Sequence, residues 1–164
     1  MKAPLDIEMS NGLHLRRFQP DDLPEVKQLH VAALEAIDAY MPHRSQADLD
    51  DIEGVYLNNG GEFLVSPLNH EIVVMGGFKR VSDNVVDLKR MRVTPSLQGQ
   101  GIGRELLGIL EGLAIETGYQ TMTLDTSVKQ AAALRLYKTS GYSEIRRETE
   151  GWPTELIFFK KQLQ

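Results

Sequence analysis

The sequence contains no cysteine. This absence excludes disulfide bonds, zinc sites built from thiolates and catalysis by a cysteine nucleophile. Four histidines are present, but no two of them have the spacing of metal ligands, so we predict no metal site. The chemistry of this chain has to come from oxygen and nitrogen groups, including those of the backbone.

Long apolar runs and an excess of positive charge are also lacking. No segment approaches the roughly 20 apolar residues of a membrane-spanning helix, and the N-terminal segment has no apolar core of a secretory signal. We therefore expect no membrane partner and a cytoplasmic location. The net charge is −5, and lysine and arginine are scattered apart from short runs such as Lys89-Arg90 with Arg92, so we expect no nucleic-acid partner. Net acidity mildly favours cationic small substrates through long-range attraction, but keeping the protein soluble is the simpler explanation.

The pattern of apolar residues predicts one mixed domain. The 164 residues contain no repeat, low-complexity tract or flexible linker, which favours a single domain over 1–164 with a core at about 13–162. Periodicity and turn residues predict strands at 13–18, 62–66, 71–80, 85–94, 119–126, 142–147 and 155–162, and helices at 22–40, 46–58, 101–117 and 130–140. This order predicts an α/β fold, a mixed sheet of about seven strands with helices on both faces, in which 85–94 and 119–126 are parallel neighbours.

In the strand at 85–94 the apolar residues change from even to odd positions part-way along. Val86 and Leu88 are apolar at even positions, whereas Met91 and Val93 are apolar at odd positions. The change predicts either a β-bulge between the two pairs or a central strand that is buried on both faces. A bulge would splay the sheet and leave main-chain donors for a ligand.

The helix at 101–117 contains two internal glycines, Gly108 and Gly112. Each costs about 1 kcal/mol relative to alanine in a helix interior. We therefore expect the helix to pack closely against the sheet at these positions. Gly118 follows the last periodic residue and is predicted to end the helix.

A glycine-rich turn joins the strand at 85–94 to the helix at 101–117. It reads Gln98-Gly99-Gln100-Gly101-Ile102-Gly103-Arg104. The first N–H groups of a helix lack internal partners and the helix dipole attracts anions there, while glycine lets a phosphate approach the backbone. A bound pyrophosphate would also offset the unfavourable position of Arg104 in the first turn. On the glycines alone, a tight turn without a ligand is equally compatible.

Two other phosphate-binding loops fit this turn less well. No G-K-[S/T] follows the glycines, which excludes a Walker A loop. The G-x-G-x-x-G pattern of dinucleotide-binding domains fails at Arg104, and only Asp125 offers an acidic residue near the end of a following strand. A nucleotide-binding α/β domain is thus the weaker alternative.

The turn resembles the Q/R-x-x-G-x-G/A signature of the GNAT acetyltransferases. The preceding segment 88–95 and the later Leu124-Asp125-Thr126 are similar to two strands of that family. The segment 133–142, Ala-Leu-Arg-Leu-Tyr-Lys-Thr-Ser-Gly-Tyr, is similar to its A-x-x-L-Y-x-x-x-G-[F/Y] helix. The order of elements also matches from about residue 13 onward. One departure is Gln130, where the family often has asparagine.

The resemblance implies a GNAT fold and acetyl-CoA as a co-substrate, bound in a V-shaped opening between the strands at 85–94 and 119–126. The main chain of 91–93 would pair with the pantetheine arm, and 98–104 would hold the pyrophosphate. Gln130 would hydrogen-bond the cofactor, and Tyr137 would lie near the sulfur. The implied cofactor residues are Met91, Arg92, Val93, Gln98, Gly99, Gln100, Gly101, Ile102, Gly103, Arg104, Gln130 and Tyr137.

The implied activity is direct transfer of an acetyl group from acetyl-CoA to a primary amine. A main-chain N–H near Val93 would polarise the thioester carbonyl. Tyr137 is the candidate proton donor to the leaving thiolate, with a core tyrosine as the alternative, and Asp87 is the candidate base, with a structural carboxylate as the alternative. Asp125 has the same ambiguity as Asp87. The loop residues His43 and Arg44 would line the acceptor site, or lie on a solvated loop.

The acceptor could be a small metabolite, an antibiotic, a peptide or a protein, and the sequence does not distinguish them. A non-catalytic module that binds or senses acyl-CoA is the alternative function. Retention of Tyr137 favours the enzyme, because binding alone does not require a phenol at that position. The resemblance also implies a homodimer, since members of the family are often dimeric.

Overall fold

The computed structural model describes residues 2–42, 44–149 and 154–164. It contains one eight-stranded sheet with the strand order β1-β2-β3-β4-β5-β6-β8-β7. The strands are β1 (Ile7–Glu8), β2 (His14–Arg17), β3 (Glu62–Leu68), β4 (Glu71–Arg80), β5 (Val85–Val93), β6 (Thr121–Ser127), β7 (Ser143–Glu148) and β8 (Leu156–Gln162). The helices are α1 (Leu23–Glu35), α2 (Ile102–Thr117) and α3 (Ala131–Thr139).

The predicted mixed sheet is confirmed. Strands β5 and β6 are parallel neighbours, as a helix crossover requires, and the other neighbouring pairs among the described residues are antiparallel. The eighth strand is the short β1, in which Ile7 pairs with Leu15. Two residues are too few to show an apolar alternation, so the sequence did not reveal this strand.

Helices cover both faces of the sheet. Along β3, Leu64 packs into the cluster that includes α2 and α3, whereas its neighbours Phe63 and Val65 pack into the cluster that includes α1. Successive residues of a strand point to opposite faces, so the two clusters lie on opposite sides. On α2, Leu106 and Leu110 are fully buried, and burial of each such side chain is worth about 1.5–3 kcal/mol. None of the helices in the described ranges is long and apolar enough to cross a membrane.

The helix predicted at 46–58 is not a continuous α-helix. The segment forms a 3-10 turn at Ala47–Asp51 and a wider, π-helical turn at Glu53–Leu57, which ends with a hydrogen bond from the Asn58 N–H to the Glu53 carbonyl (2.7 Å). Tertiary contacts account for the winding. The Tyr56 ring is buried 5.1 Å from that of Phe63, while its hydroxyl donates to Asp48 (2.6 Å).

The prediction for the internal glycines of α2 is wrong. A Cβ added to Gly108 or Gly112 would have no atom within 4 Å, so neither glycine is required by close packing. Gly108 is exposed, on the side of α2 away from the buried Leu106 and Leu110. Gly118 does end the helix as predicted, with φ of 104° and its N–H bonded to Ile115.

Candidate active site

Strand β5 contains a β-bulge at the position where its apolar parity changes. Arg90 and Met91 of β5 stand opposite the single residue Gly76 of β4, and regular pairing resumes on both sides. The extra residue returns Met91 and Val93 to the face on which Leu88 packs. This confirms the bulge and excludes the alternative of a regular strand buried on both faces.

Arg90 has a backbone conformation that side chains rarely adopt. Its φ of 59° is left-handed, which costs a non-glycine residue about 1–2 kcal/mol. The guanidinium is held by both oxygens of Asp48, with Nε to Oδ2 at 3.0 Å and Nη2 to Oδ1 at 2.5 Å. Burial opposes ionisation of Asp48, but the bonds from Arg90 lower its pKa to about 2. A bidentate ion pair therefore supports the strained residue of the bulge.

Strands β5 and β6 separate after Asp87, ahead of the bulge. Residues 85–87 pair with 121–123, and no other residues of these two strands pair with each other within the described ranges. On its other edge β6 stays paired with β8 along its whole length. The result is a V-shaped opening with unpaired strand edges on both sides, as the resemblance implied.

A cavity of about 660 Å³, the glycine-turn cavity, opens from this V. It is bounded by the end of β5, the turn at 97–104, the segment 129–137 at the start of α3, and the end of α1. Eleven of the twelve predicted cofactor-binding residues line it, and Gln100 is the exception. The structure therefore brings together two stretches that are about 30 residues apart in the sequence.

The backbone of the turn suits a phosphate. Gly99 and Gly101 have φ of 78° and 81°, and no atom lies within 4 Å of a Cβ added to either residue. Glycine is thus required by conformation, while the space in front of the turn is open. The first N–H groups of α2 face this region, and they are natural donors to an anion.

Side chains of the turn make structural contacts. Gln98 donates from Nε2 to the Val93 carbonyl (2.9 Å), which fixes the turn to the end of β5. Arg104 donates to the hydroxyls of Thr139 (2.7 Å) and Ser140 (3.2 Å), near the negative end of the α3 dipole. Gly103 lies where a Cβ would be 3.6 Å from Leu136. The groups that remain for a ligand are mainly those of the main chain.

A second cavity of about 580 Å³, the charged cavity, lies on the α1 side of β5. It is bounded by β5, by Asp125 and Thr126 of β6, and by the segment 44–55. Its described lining includes five cationic side chains, those of Arg44, Lys79, Lys89, Arg90 and Arg92, and three acidic ones, those of Asp48, Asp51 and Asp125.

Asp125 lies at the centre of an ion-pair network in this cavity. It accepts from Arg44 (2.6 Å) and from Lys89 (3.3 Å), and Lys89 also lies 3.1 Å from Asp87. Burial opposes ionisation, but Lys89 and Arg44 together lower the pKa of Asp125. Asp125 is therefore an ionised carboxylate at neutral pH.

Asp87, the predicted base, lies beside this network. Its Oδ1 accepts from the Thr123 hydroxyl (2.8 Å) and its Oδ2 faces Lys89. It is not among the described residues that line either cavity. Lys89, which does line the charged cavity, is the described lining residue in contact with Asp87.

The two cavities meet at four residues. Met91, Arg92, Gln130 and Tyr137 line both of them. The Tyr137 ring packs at 5.8 Å from that of Tyr142, so the residue also has the core role that was its alternative. Burial raises the pKa of Tyr137 to about 12, and its phenol is protonated at neutral pH. A proton donor is thus available where the cavities join.

Comparison with known proteins agrees with this geometry. The pattern of the acetyltransferase (GNAT) family matches residues 24–142 of the 164. The chain belongs to the GNAT family. N-acetylaspartate synthetase of Danio rerio is 30% identical over 132 residues, which are 74% of this chain and 46% of that protein. The chain spans about half the length of the curated relatives it matches.

Solved GNAT structures share the fold. An acetyltransferase of the GNAT family from Staphylococcus aureus Mu50 has a TM-score of 0.83 at 24% identity, over 93% of this chain and 99% of that one. YncA from Salmonella typhimurium, solved with its cofactor acetyl-CoA, has a TM-score of 0.71 at 23% identity, over 93% and 94%. At these identities the likeness concerns the architecture alone.

Sequence reasoning on this GNAT chain missed most of the charged cavity. Asp48 and Tyr56 gave no signal, because their roles arise from contacts across the fold. The cluster Lys89-Arg90 with Arg92 was visible as a short basic run, but its pairing was not. Arg44 lines the charged cavity, and its role in an acceptor site stays a prediction. His43 lies outside the described residues.

Proposed function

We propose that this chain is an N-acetyltransferase that uses acetyl-CoA as co-substrate and transfers the acetyl group directly to a primary amine. The observation that carries the proposal is the junction of two cavities at the buried, protonated Tyr137. Membership of the GNAT family supports it. The glycine-turn cavity would take acetyl-CoA and the charged cavity would take the acceptor.

The residues present fit this co-substrate. The open space before Gly99 and Gly101 accommodates a pyrophosphate against the N-terminus of α2. The unpaired edge of β5 at 91–93 offers main-chain groups to an amide-containing arm such as pantetheine. Gln130 is the N-cap residue just before α3, and its side chain makes no capping hydrogen bond, so its amide can serve the ligand.

The transfer needs one polarised carbonyl and one displaced thiolate. The amine nitrogen attacks the thioester carbonyl carbon, a C–N bond forms, and the C–S bond breaks with its electron pair on sulfur. A main-chain N–H near Val93 would stabilise the negative charge that develops on the carbonyl oxygen. Binding both substrates where the cavities meet supplies the alignment.

Two protons move during the reaction. Tyr137 would donate its phenolic proton to the sulfur of the leaving thiolate. The attacking amine must lose a proton, for which Asp87 is the proposed base, reached through water beside Lys89. That proton restores the phenol of Tyr137 over the full cycle, so no other reactant is consumed.

The decisive experiment is calorimetric titration of the purified protein with acetyl-CoA, with NAD and ATP as controls. We expect micromolar binding of acetyl-CoA only. The protein is then mixed with acetyl-CoA and a panel of primary amines, and release of free thiol is followed. Amine-dependent thiol release supports the enzyme. Acetyl-CoA binding without thiol release for any amine would instead support a sensing module, and binding of NAD or ATP in its place would refute both.

Three further expectations belong to this proposal. We propose that 1–164 forms one domain, which is supported by two core clusters packed on a single sheet. The homodimer implied by the family and the cytoplasmic location stay predictions. Light scattering of the purified protein and fluorescence microscopy of a tagged chain would test them.

A further inference from the structure

The charged cavity has the opposite sign to the whole chain. The chain carries a net charge of −5, whereas the described lining of this cavity has five cationic and three acidic side chains. Two of the acidic groups are used internally, since Asp48 binds Arg90 and Asp125 binds Arg44 and Lys89. The third, Asp51, is exposed and accepts from the Gly54 N–H. The surplus of the cavity is therefore positive.

Arg92 and Lys79 are the two cations of this lining without an ion pair among the described residues, and of the two only Arg92 also lines the glycine-turn cavity. Its Nη1 donates to the carbonyl of Met91 (2.7 Å), and within the described ranges it forms no ion pair. Its Nε is buried and has no hydrogen-bond partner there. A buried guanidinium normally has a carboxylate partner, because an unpaired one is costly. Arg92 lines both cavities beside Tyr137, so its missing partner would lie where the amine must be presented.

The positive charge of this cavity also affects the pKa of a neighbouring histidine, His30. His30 on α1 is 3% exposed, and its Nδ1 has no partner among the described residues. Burial lowers its pKa to about 3, and the charges of Arg92 and Arg90 act in the same direction. The histidine is thus neutral and adds no positive charge, and the potential at this side of β5 is set by the arginines.

We propose that the acceptor is a small amine which also carries a carboxylate, and that Arg92 binds that carboxylate. This inference rests on the proposed acetyltransferase function and names the class of its acceptor. A planar guanidinium binds a carboxylate through two parallel hydrogen bonds, which would satisfy the buried Nε. Because Arg92 and Tyr137 line the same junction, the carboxylate and the amine are separated by only a few bonds, as in a free amino acid.

The test measures binding first, so that it does not depend on turnover. Protein saturated with CoA is titrated calorimetrically with free amino acids and with the corresponding amino acid amides, which keep the amine and lose the negative charge. We expect at least one free acid to bind about 10- to 100-fold more tightly than its amide, the range of one charge-assisted hydrogen bond. Absence of binding by every free acid, or equal binding of acid and amide, would overturn the proposal.

Variants then locate the charge that is responsible. In Arg92→Met the preference for acid over amide should fall below about threefold, and Arg92→Lys should restore part of it, because a lysine keeps the charge but not the fork geometry. Arg146→Met removes an exposed guanidinium on β7, away from both cavities, and should keep the full preference. A preference that survives in Arg92→Met, or disappears equally in Arg146→Met, contradicts the assignment.

The melting temperature of Arg92→Met and the rate of thiol release give two further tests. Because an unpaired buried charge is costly, Arg92→Met should melt at or above the wild-type temperature, by about 2–4 °C for each kcal/mol gained. A lower melting temperature would make Arg92 a structural residue and count against the proposal. In the thiol-release assay, equal rates with acids and amides would refute the acceptor class and leave the acetyltransferase intact. Failure to bind acetyl-CoA would refute the acetyltransferase itself.

Discussion

The two cavities are built by different means. The glycine-turn cavity is lined mainly by two continuous stretches, 91–104 and 129–137, together with the end of α1. The charged cavity is formed by side chains from β4, β5, β6 and the segment 44–55, and these meet only after folding. A main-chain site constrains the sequence through glycines and strand parity, whereas a side-chain site leaves ion-pair partners scattered along the chain. The difference suits a family in which the cofactor is common and the acceptor varies.

The largest expected effect is on the glycine-turn cavity alone, through loss of acetyl-CoA binding. Gly101→Val should abolish measurable binding of acetyl-CoA, because the branched side chain would occupy the open space and a φ of 81° costs a non-glycine residue about 1–2 kcal/mol. Calorimetry of the folded variant measures this. The control is Gly108→Ala on the exposed side of the same helix, which should keep the affinity and gain about 0.5–1 kcal/mol of stability. Wild-type affinity in Gly101→Val would remove the turn from the binding site.

The next effect concerns the junction itself. If the phenol protonates the leaving group as proposed, Tyr137→Phe should lower kcat by about 10- to 10³-fold and leave the affinity for acetyl-CoA nearly unchanged. Steady-state kinetics and calorimetry on the same preparation give both numbers. A wild-type rate at neutral and at high pH would leave Tyr137 as a core residue only.

The third effect is the pH dependence of stability that the lowered pKa of His30 produces. The folded pKa of His30, about 3, lies below its unfolded value of 6.5. Between these values the unfolded state binds a proton that the folded state does not, so stability falls as the pH falls. From pH 7 to pH 5 this contributes a loss of about 2 kcal/mol.

We expect His30→Phe to lose about that much less than the wild type between the same two pH values, measured by urea unfolding. The carboxylates with lowered pKa values are common to both proteins, so the difference isolates His30. An identical pH dependence in the two proteins would mean that folding does not change the pKa of His30.

The smallest expected effect distinguishes the two carboxylates beside Lys89. If Asp87 is the base, Asp87→Asn should move the acidic limb of the kcat/KM profile to higher pH by about one unit, a tenfold loss on that limb. Asp125→Asn is the matched comparison. It should weaken acceptor binding by disturbing Arg44 and Lys89, without moving the limb. The opposite pattern would assign the base to Asp125, and two unmoved limbs would leave both carboxylates structural.

The predictable parts of this molecule are those whose cause is local in sequence. The turn at 98–104 could be predicted because several glycines directly precede a helix. The bulge could be predicted because the apolar residues change from even to odd positions between Leu88 and Met91. The parallel pairing of β5 and β6 followed from the intervening helix.

The rest depended on contacts between distant residues. Helical periodicity at 46–58 was real, but the winding is set by Tyr56 reaching Phe63 and Asp48 at once. Gly108 was predicted to pack closely against the sheet, but it lies on the exposed side of α2, and a glycine by itself does not indicate on which side of a helix it lies. Arg92 looked like one more residue of a basic run, and only the structure shows that its neighbours are paired while its own Nε has no partner in the described ranges.

The bulge of β5 amounts, in evolutionary terms, to a single inserted residue. Strand β4 has one residue, Gly76, where β5 has Arg90 and Met91. Loss of one codon at Arg90 would restore one-to-one pairing of β5 with β4 and remove the left-handed conformation. A bulged and a regular β4–β5 ladder are therefore one mutational event apart. A sheet protein can gain such a bulge, or lose it, without any change in the order of its elements.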